Sequence, residues 1–188
     1  MRPVIVAHVA VTTSPDYLTR REPHRQAHIE RLRQLRAAGT FVAGGAFPDG
    51  RGADLFYRVG HLAEVDALIV EDPYHRSGAW AGHASRPFSE FVDPWHVVPP
   101  VVLDGSRRVT VVEGPAGDPE LARFALIELR GQGRLLLGGT LRGGASGGGG
   151  DTLAVLSTPD PTDALGWLGE TGLWDPADLR AHSLLHVL

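Results

Sequence analysis

The sequence predicts an α+β protein made of two successive β-α-β-β-α-β units. Three observations carry that expectation. Apolar residues switch between strand and helix spacing along the chain, a Gly-Gly block occurs twice in one setting, and proline and glycine punctuate both halves alike. Gly39-Thr40-Phe41-Val42-Ala43-Gly44-Gly45 and Gly133-Arg134-Leu135-Leu136-Leu137-Gly138-Gly139 share one pattern: glycine, a variable residue, two large apolar residues, a variable residue, then Gly-Gly. Leu32 and Leu35 precede the first block as Leu126 and Leu129 precede the second, at a common offset of 94 positions. Glu71–His83 lies over Glu170–His182 at an offset of 99, and the glycine-rich stretch Gly143–Gly150 absorbs the difference as a surface loop. Repetition in this order points to duplication. Two domains are therefore expected, 1–96 and 107–188, joined by a linker at 97–106.

Each element of the first half has a local cause. Val4 to Val11 is rich in β-branched residues and reads as a strand. Pro23 suits the first turn of a helix reaching about Ala38, and Gly39 is its natural stop. Thr40–Phe47 and Asp54–Val59 read as strands joined by the turn residues Pro48-Asp49-Gly50. Leu62, Val65, Leu68 and Ile69 form a second helical stripe, closed by Pro73 because the residue before a proline avoids the helical region. Trp80 to Phe91 supplies the last strand. Two helices on one face of an antiparallel sheet make a ferredoxin-like layer. A unit of roughly ninety residues buries a modest core and leaves its other sheet face bare. Pairing of the two sheets as an intramolecular pseudo-dimer is the expected solution.

Composition narrows the function classes. With 43% hydrophobic and 21% charged residues the chain is globular. A net charge of −4 and the lack of any basic run argue against a nucleic-acid partner. All 18 basic residues are arginine. The absence of cysteine excludes disulfides, thiolate metal sites and a cysteine nucleophile. No window reaches transmembrane length, and Met1–Thr12 alternates as a strand does, unlike a signal peptide. A cytoplasmic protein is expected, with a small molecule as its partner. Further association into a homo-oligomer stays open.

Two motifs bring a family into view. Arg25-x-x-His28-x-x-x-Leu32, followed by Gly39 and Gly44-Gly45, resembles the first signature of YCII-related proteins. Asp72-Pro73-Tyr74, then Gly78 and Arg86-Pro87-Phe88, resembles the second. The likeness spans about Pro3 to Phe91. It implies a dimeric α/β-barrel type of fold and an acid/base pair formed by His28 and Asp72, with Arg25 and Tyr74 beside the substrate. One member of that family is a dehydrochlorinase acting on a chlorinated hydroxyquinol. The second half departs from the pattern: Ala122 stands for His28, Thr171 for Asp72 and Pro119 for Arg25. One chemical site in the first half, beside a degenerate second copy, is the expectation.

Without the resemblance these residues have plainer readings. His28, at helical spacing from Leu32 and Leu35, lies on a buried face and reads equally as a core histidine. Asp72 before Pro73 reads as a helix-terminating residue, and Tyr74 as a packing residue. A carboxylate partner would fix the tautomer of the imidazole and let it move a proton near neutral pH. His24 and His28 stand four apart, as two metal ligands would, but the glutamate of the zinc-protease motif is missing between them and no metal is expected. His24 reads as a first-turn surface residue and His8 as a core residue or part of the same pocket, and both stand with Arg25 and Tyr74 as candidate substrate-binding residues. The other histidines, His96 among them, form no constellation. Neither a phosphate-binding loop nor a nucleophile elbow occurs. The leading expectation is a cofactor-independent lyase, isomerase or cyclase acting on a small enolisable or aromatic substrate, in secondary metabolism. The rivals are a non-catalytic small-molecule-binding or regulatory protein and a cofactor-free oxygenase.

Overall fold

The computed structural model describes residues 5–92, 107–142 and 150–186. The expected linker 97–106, His96 and all of the glycine-rich loop before Gly150 lie outside the described residues. Two compact units divide between Pro87 and Phe88.

The first unit contains β1 (Ile5–Thr13), α1 (Tyr17–Arg21), α2 (Arg25–Ala37), β2 (Phe41–Ala46), β3 (Gly52–Val59), α3 (Ala63–Val70), α4 (Pro73–Arg76) and β4, which spans Trp80–Val92 and crosses the boundary. The helical stretch begins at Tyr17, earlier than Pro23, because an i,i+4 ion pair between Asp16 and Arg20 supports an extra turn. Pro23 falls in a short 3-10 turn, Glu22–His24, that joins α1 to α2. Strand order is β4-β1-β3-β2, and β1 runs antiparallel to β3 from Ile5↔Val59 to Thr12↔Gly52. Side chains alternate across this register. Ala7, Val9, Leu55 and Tyr57 therefore share one face, and Val6, His8, Asp54 and Phe56 share the other.

The second unit repeats the plan with β5 (Arg108–Gly114), α5 (Pro119–Gly131), β6 (Leu135–Leu141), β7 (Asp151–Leu156), α6 (Pro161–Gly169) and β8 (Arg180–His186). Its strand order, β8-β5-β7-β6, is the same order under the repeat. The last residues of β4, from Phe88, pair with β6, which is why the boundary falls inside that strand. Its core packs Ala122, Leu126 and Leu129 of α5 against Val112, Leu135, Leu156, Leu168 and Trp174. Each fully buried leucine contributes about 1.5–3 kcal/mol by leaving water.

Agreement between the units extends to detail. Both α2 and α5 have bounds related by the 94-residue offset, and each is followed by a left-handed glycine, Gly39 at φ 77° and Gly133 at φ 74°. The register of β2 on β3 shifts between Phe41 and Ala43, and that of β6 on β7 shifts between Leu135 and Leu137. Those are matching positions. Among the described residues no helix is long and apolar enough to cross a membrane.

Candidate functional site

His28 lies on α2 after a turn of exposed residues, and with Leu32 it forms the buried side of that helix. Its Nδ1 is 2.8 Å from Asp72 Oδ1 and 3.0 Å from Oδ2, and both side chains are buried. Asp72 is fixed from below. It is the residue before Pro73 and therefore extended (φ −68°, ψ 135°), and its Oδ1 accepts the Tyr74 N–H at 2.9 Å to cap α4. The expected helix-terminating role is thus real but incomplete, since the same carboxylate starts the next helix and holds His28.

Tyr74 stacks on the imidazole with ring centroids 3.9 Å apart at 15°, and Trp80 meets both rings edge-on. Tyr17 closes the group, T-shaped on Tyr74 at 6.0 Å. Burial pushes the Tyr74 phenol above its ordinary range; the neighbouring Tyr17 and the Asp72 charge act in the same direction, while Arg21 and Arg25 act against them. Tyr74 is therefore a neutral hydroxyl, a hydrogen-bond donor and not a base. Tyr57, on the sheet face toward this group, is likewise held up by burial and then by Asp72, with Arg31 opposing. With Nδ1 engaged by the carboxylate, Nε2 is the ring nitrogen left for chemistry, and no described residue hydrogen-bonds it.

The other candidates distribute unevenly. Arg25 begins α2, three residues from His28, and its charge reaches Tyr74. His24 is exposed and caps nothing with its side chain. His8 does not share a pocket with His28: the strand register puts it on the opposite sheet face from Tyr57. There its Nε2 is 2.8 Å from Asp54 Oδ1 and its Nδ1 accepts from Arg86 at 3.3 Å. Asp54 and the part of Arg86 in this second buried pair were not foreseen. The signal available in the sequence was a carboxylate, Asp54, within the largely apolar stretch that forms β3 (Gly52–Val59). No group of three metal-ligating side chains occurs among the described residues. A cleft of about 510 Å³ is lined by Tyr17 together with Asp16, Leu18, Asp49 and Arg51.

The second unit shows what is dispensable. Ala122 occupies the place of His28 and is buried in the core. Thr171 replaces Asp72, yet its Oγ1 still accepts the N–H two residues on, from Leu173 at 3.2 Å, as Asp72 does from Tyr74. The turn needs an oxygen there; only the histidine needs a carboxylate.

Residues 6–89 match the YCII-related domain. No curated protein matches the chain. Among solved structures, a candidate monooxygenase from Lactobacillus acidophilus NCFM is 11% identical over 98% of this chain and 99% of its own, with a TM-score of 0.59. Another from Fusobacterium nucleatum is 10% identical over 98% and 92%, at 0.58. A 5-chloro-2-hydroxyhydroquinone dehydrochlorinase from Burkholderia phenoliruptrix AC1100, solved with 2,5-dihydroxybenzoquinone, is 20% identical over 43% of this chain and 90% of its own, at 0.39. At 10–11% identity the likeness to the two candidate monooxygenases is one of fold.

Proposed function

Taking residues 6–89 as a YCII-related domain, we propose that the protein is a cofactor-independent acid/base enzyme whose proton-transfer group is His28. One observation carries the reading: a buried carboxylate grips Nδ1 of His28 with both oxygens and leaves Nε2 unengaged. Such a carboxylate fixes the tautomer and balances the imidazolium that forms when Nε2 accepts a proton. In the reaction, Nε2 takes the proton of an acidic C–H or O–H of a small enolisable or aromatic substrate. The electron pair left behind forms an enolate or phenolate oxygen toward which Tyr74 can donate. Imidazolium then returns the proton to a leaving group or to another carbon, giving elimination, isomerisation or cyclisation with no redox partner. The 1–96 half carries this site, and the 107–188 half is a degenerate copy that arose by duplication and serves as its structural mate in a pseudo-dimer. The repeated strand order and the matched bulges support that descent.

The test is uptake of deuterium from D2O into a panel of enolisable dihydroxyaromatic and 1,3-dicarbonyl compounds, followed by NMR. Wild type is expected to exchange at least one of them above buffer, and His28→Asn to do so about 10²–10⁴ times more slowly. Equal exchange by both proteins would remove the catalytic reading.

A further inference from the structure

Arg21 is a cation beside the His28 group that forms no ion pair among the described residues, whereas Arg20, Arg31 and Arg33 each face a carboxylate. Its Nε is buried without a hydrogen-bond partner. A guanidinium cannot shed its charge in a protein, so this buried donor calls for an acceptor that the described residues do not provide. The side chain is nonetheless held in place: its Cζ lies 5.2 Å from the centre of the Tyr17 ring. Tyr17 meets Tyr74 edge-on, and Tyr74 stacks on His28. Arg21 ends α1 and Arg25 opens α2, with the 3-10 turn Glu22–His24 between them, so both arginines lie close to His28 along the chain. Both arginine charges are felt at the Tyr74 phenol.

We propose that Arg21 holds an anionic oxygen of the substrate, so that the site takes a planar organic anion bearing a carboxylate, phenolate or enolate. This deepens the proton-transfer reading and rests on it only in placing the substrate beside His28. A fixed cation at this position would bind the ground-state anion and would also stabilise negative charge that develops on oxygen as Nε2 removes a proton.

The experiment needs no turnover. para-Hydroxybenzoate and its neutral, equally flat counterpart para-hydroxybenzamide are titrated into ¹⁵N-labelled full-length protein at low salt, and binding is read from amide shifts. Wild type is expected to bind the anion about tenfold more tightly than the amide, with added salt eroding the preference. Arg21→Gln abolishes the preference and Arg21→Lys retains part of it; Arg21→Met, which keeps the stem on Tyr17, replaces the glutamine variant should that one unfold. His28→Asn keeps the preference. A wild-type protein that does not favour the anion, or an uncharged Arg21 variant that still does, overturns the proposal. Should deuterium exchange show His28 to be inert while the preference still vanishes with Arg21, the anion site stands and the proton-transfer reading alone falls.

Discussion

Replacing Asp72 separates its two duties, because the second unit shows which substitute performs one of them. Asp72→Ala removes the acceptor for the Tyr74 N–H and the acceptor for His28 Nδ1 together. Loss of a cap of this kind costs about 1 kcal/mol. Loss of a buried hydrogen bond to a charged group costs about 1.5–3 kcal/mol. Asp72→Thr is expected to keep an acceptor for the Tyr74 N–H, since Thr171 Oγ1 accepts the Leu173 N–H at the matching place, and to lose only the second. The threonine variant is therefore expected to be about 1.5–3 kcal/mol less stable than wild type, and the alanine variant about 1 kcal/mol worse again. Urea unfolding at neutral pH measures both, with unchanged slopes showing that the unfolded state is comparable. At this chain length each kcal/mol is about 2–4 °C in Tm. In the threonine variant ¹⁵N NMR should also show that His28 has lost its fixed Nδ1–H tautomer. Equal stability of the two variants would refute the capping argument. A threonine variant as stable as wild type would refute the claim that the His28–Asp72 bond contributes to the fold.

Three further outcomes follow from the same geometry. His28→Ala leaves a buried carboxylate without its partner, whereas His28→Ala with Asp72→Thr recreates the Ala122 and Thr171 pair of the second unit; the double variant should be more stable than the sum of the single losses by about 0.5–3 kcal/mol in a double-mutant cycle. Burial holds the Tyr57 and Tyr74 phenols above their ordinary range. The unfolded chain therefore releases those protons first, and stability stays intact below about pH 10 and falls as pH rises, by about 1.4 kcal/mol per pH unit for each tyrosine. With no lysine or cysteine to titrate there, Tyr57→Phe and Tyr74→Phe should each flatten the alkaline slope of urea midpoints. Gly44→Ala should destabilise by about 1–3 kcal/mol because a Cβ would lie 2.6 Å from the Asp54 carbonyl oxygen, while Gly138→Ala at the matching place meets only the movable side chains of Leu135 and Leu126 and should cost less in the same melts.

The sequence by itself determined the number of units, the order of their elements and the asymmetry between them. Those features are local or periodic: a Gly-Gly block after a leucine stripe, a proline after Asp72, and Ala122 and Thr171 where the first half has His28 and Asp72. Strand and helix spacing survive in the text of the chain because each residue's direction follows from its neighbours. Approach of residues far apart in the chain is another matter. The stacking of Tyr74 on His28, the edge-on Tyr17 and Trp80, and the position of Arg21 all depend on how α2 and α4 lean on the sheet. The clearest case is His8. Its residue type and its strand were legible, but its companions were decided by the β1–β3 register, where a shift of one residue would have turned it to the other face. Only the folded sheet sets that register, through cross-strand hydrogen bonds and the packing of both faces, and it is this that gives His8 to Asp54 and leaves Asp72 to His28.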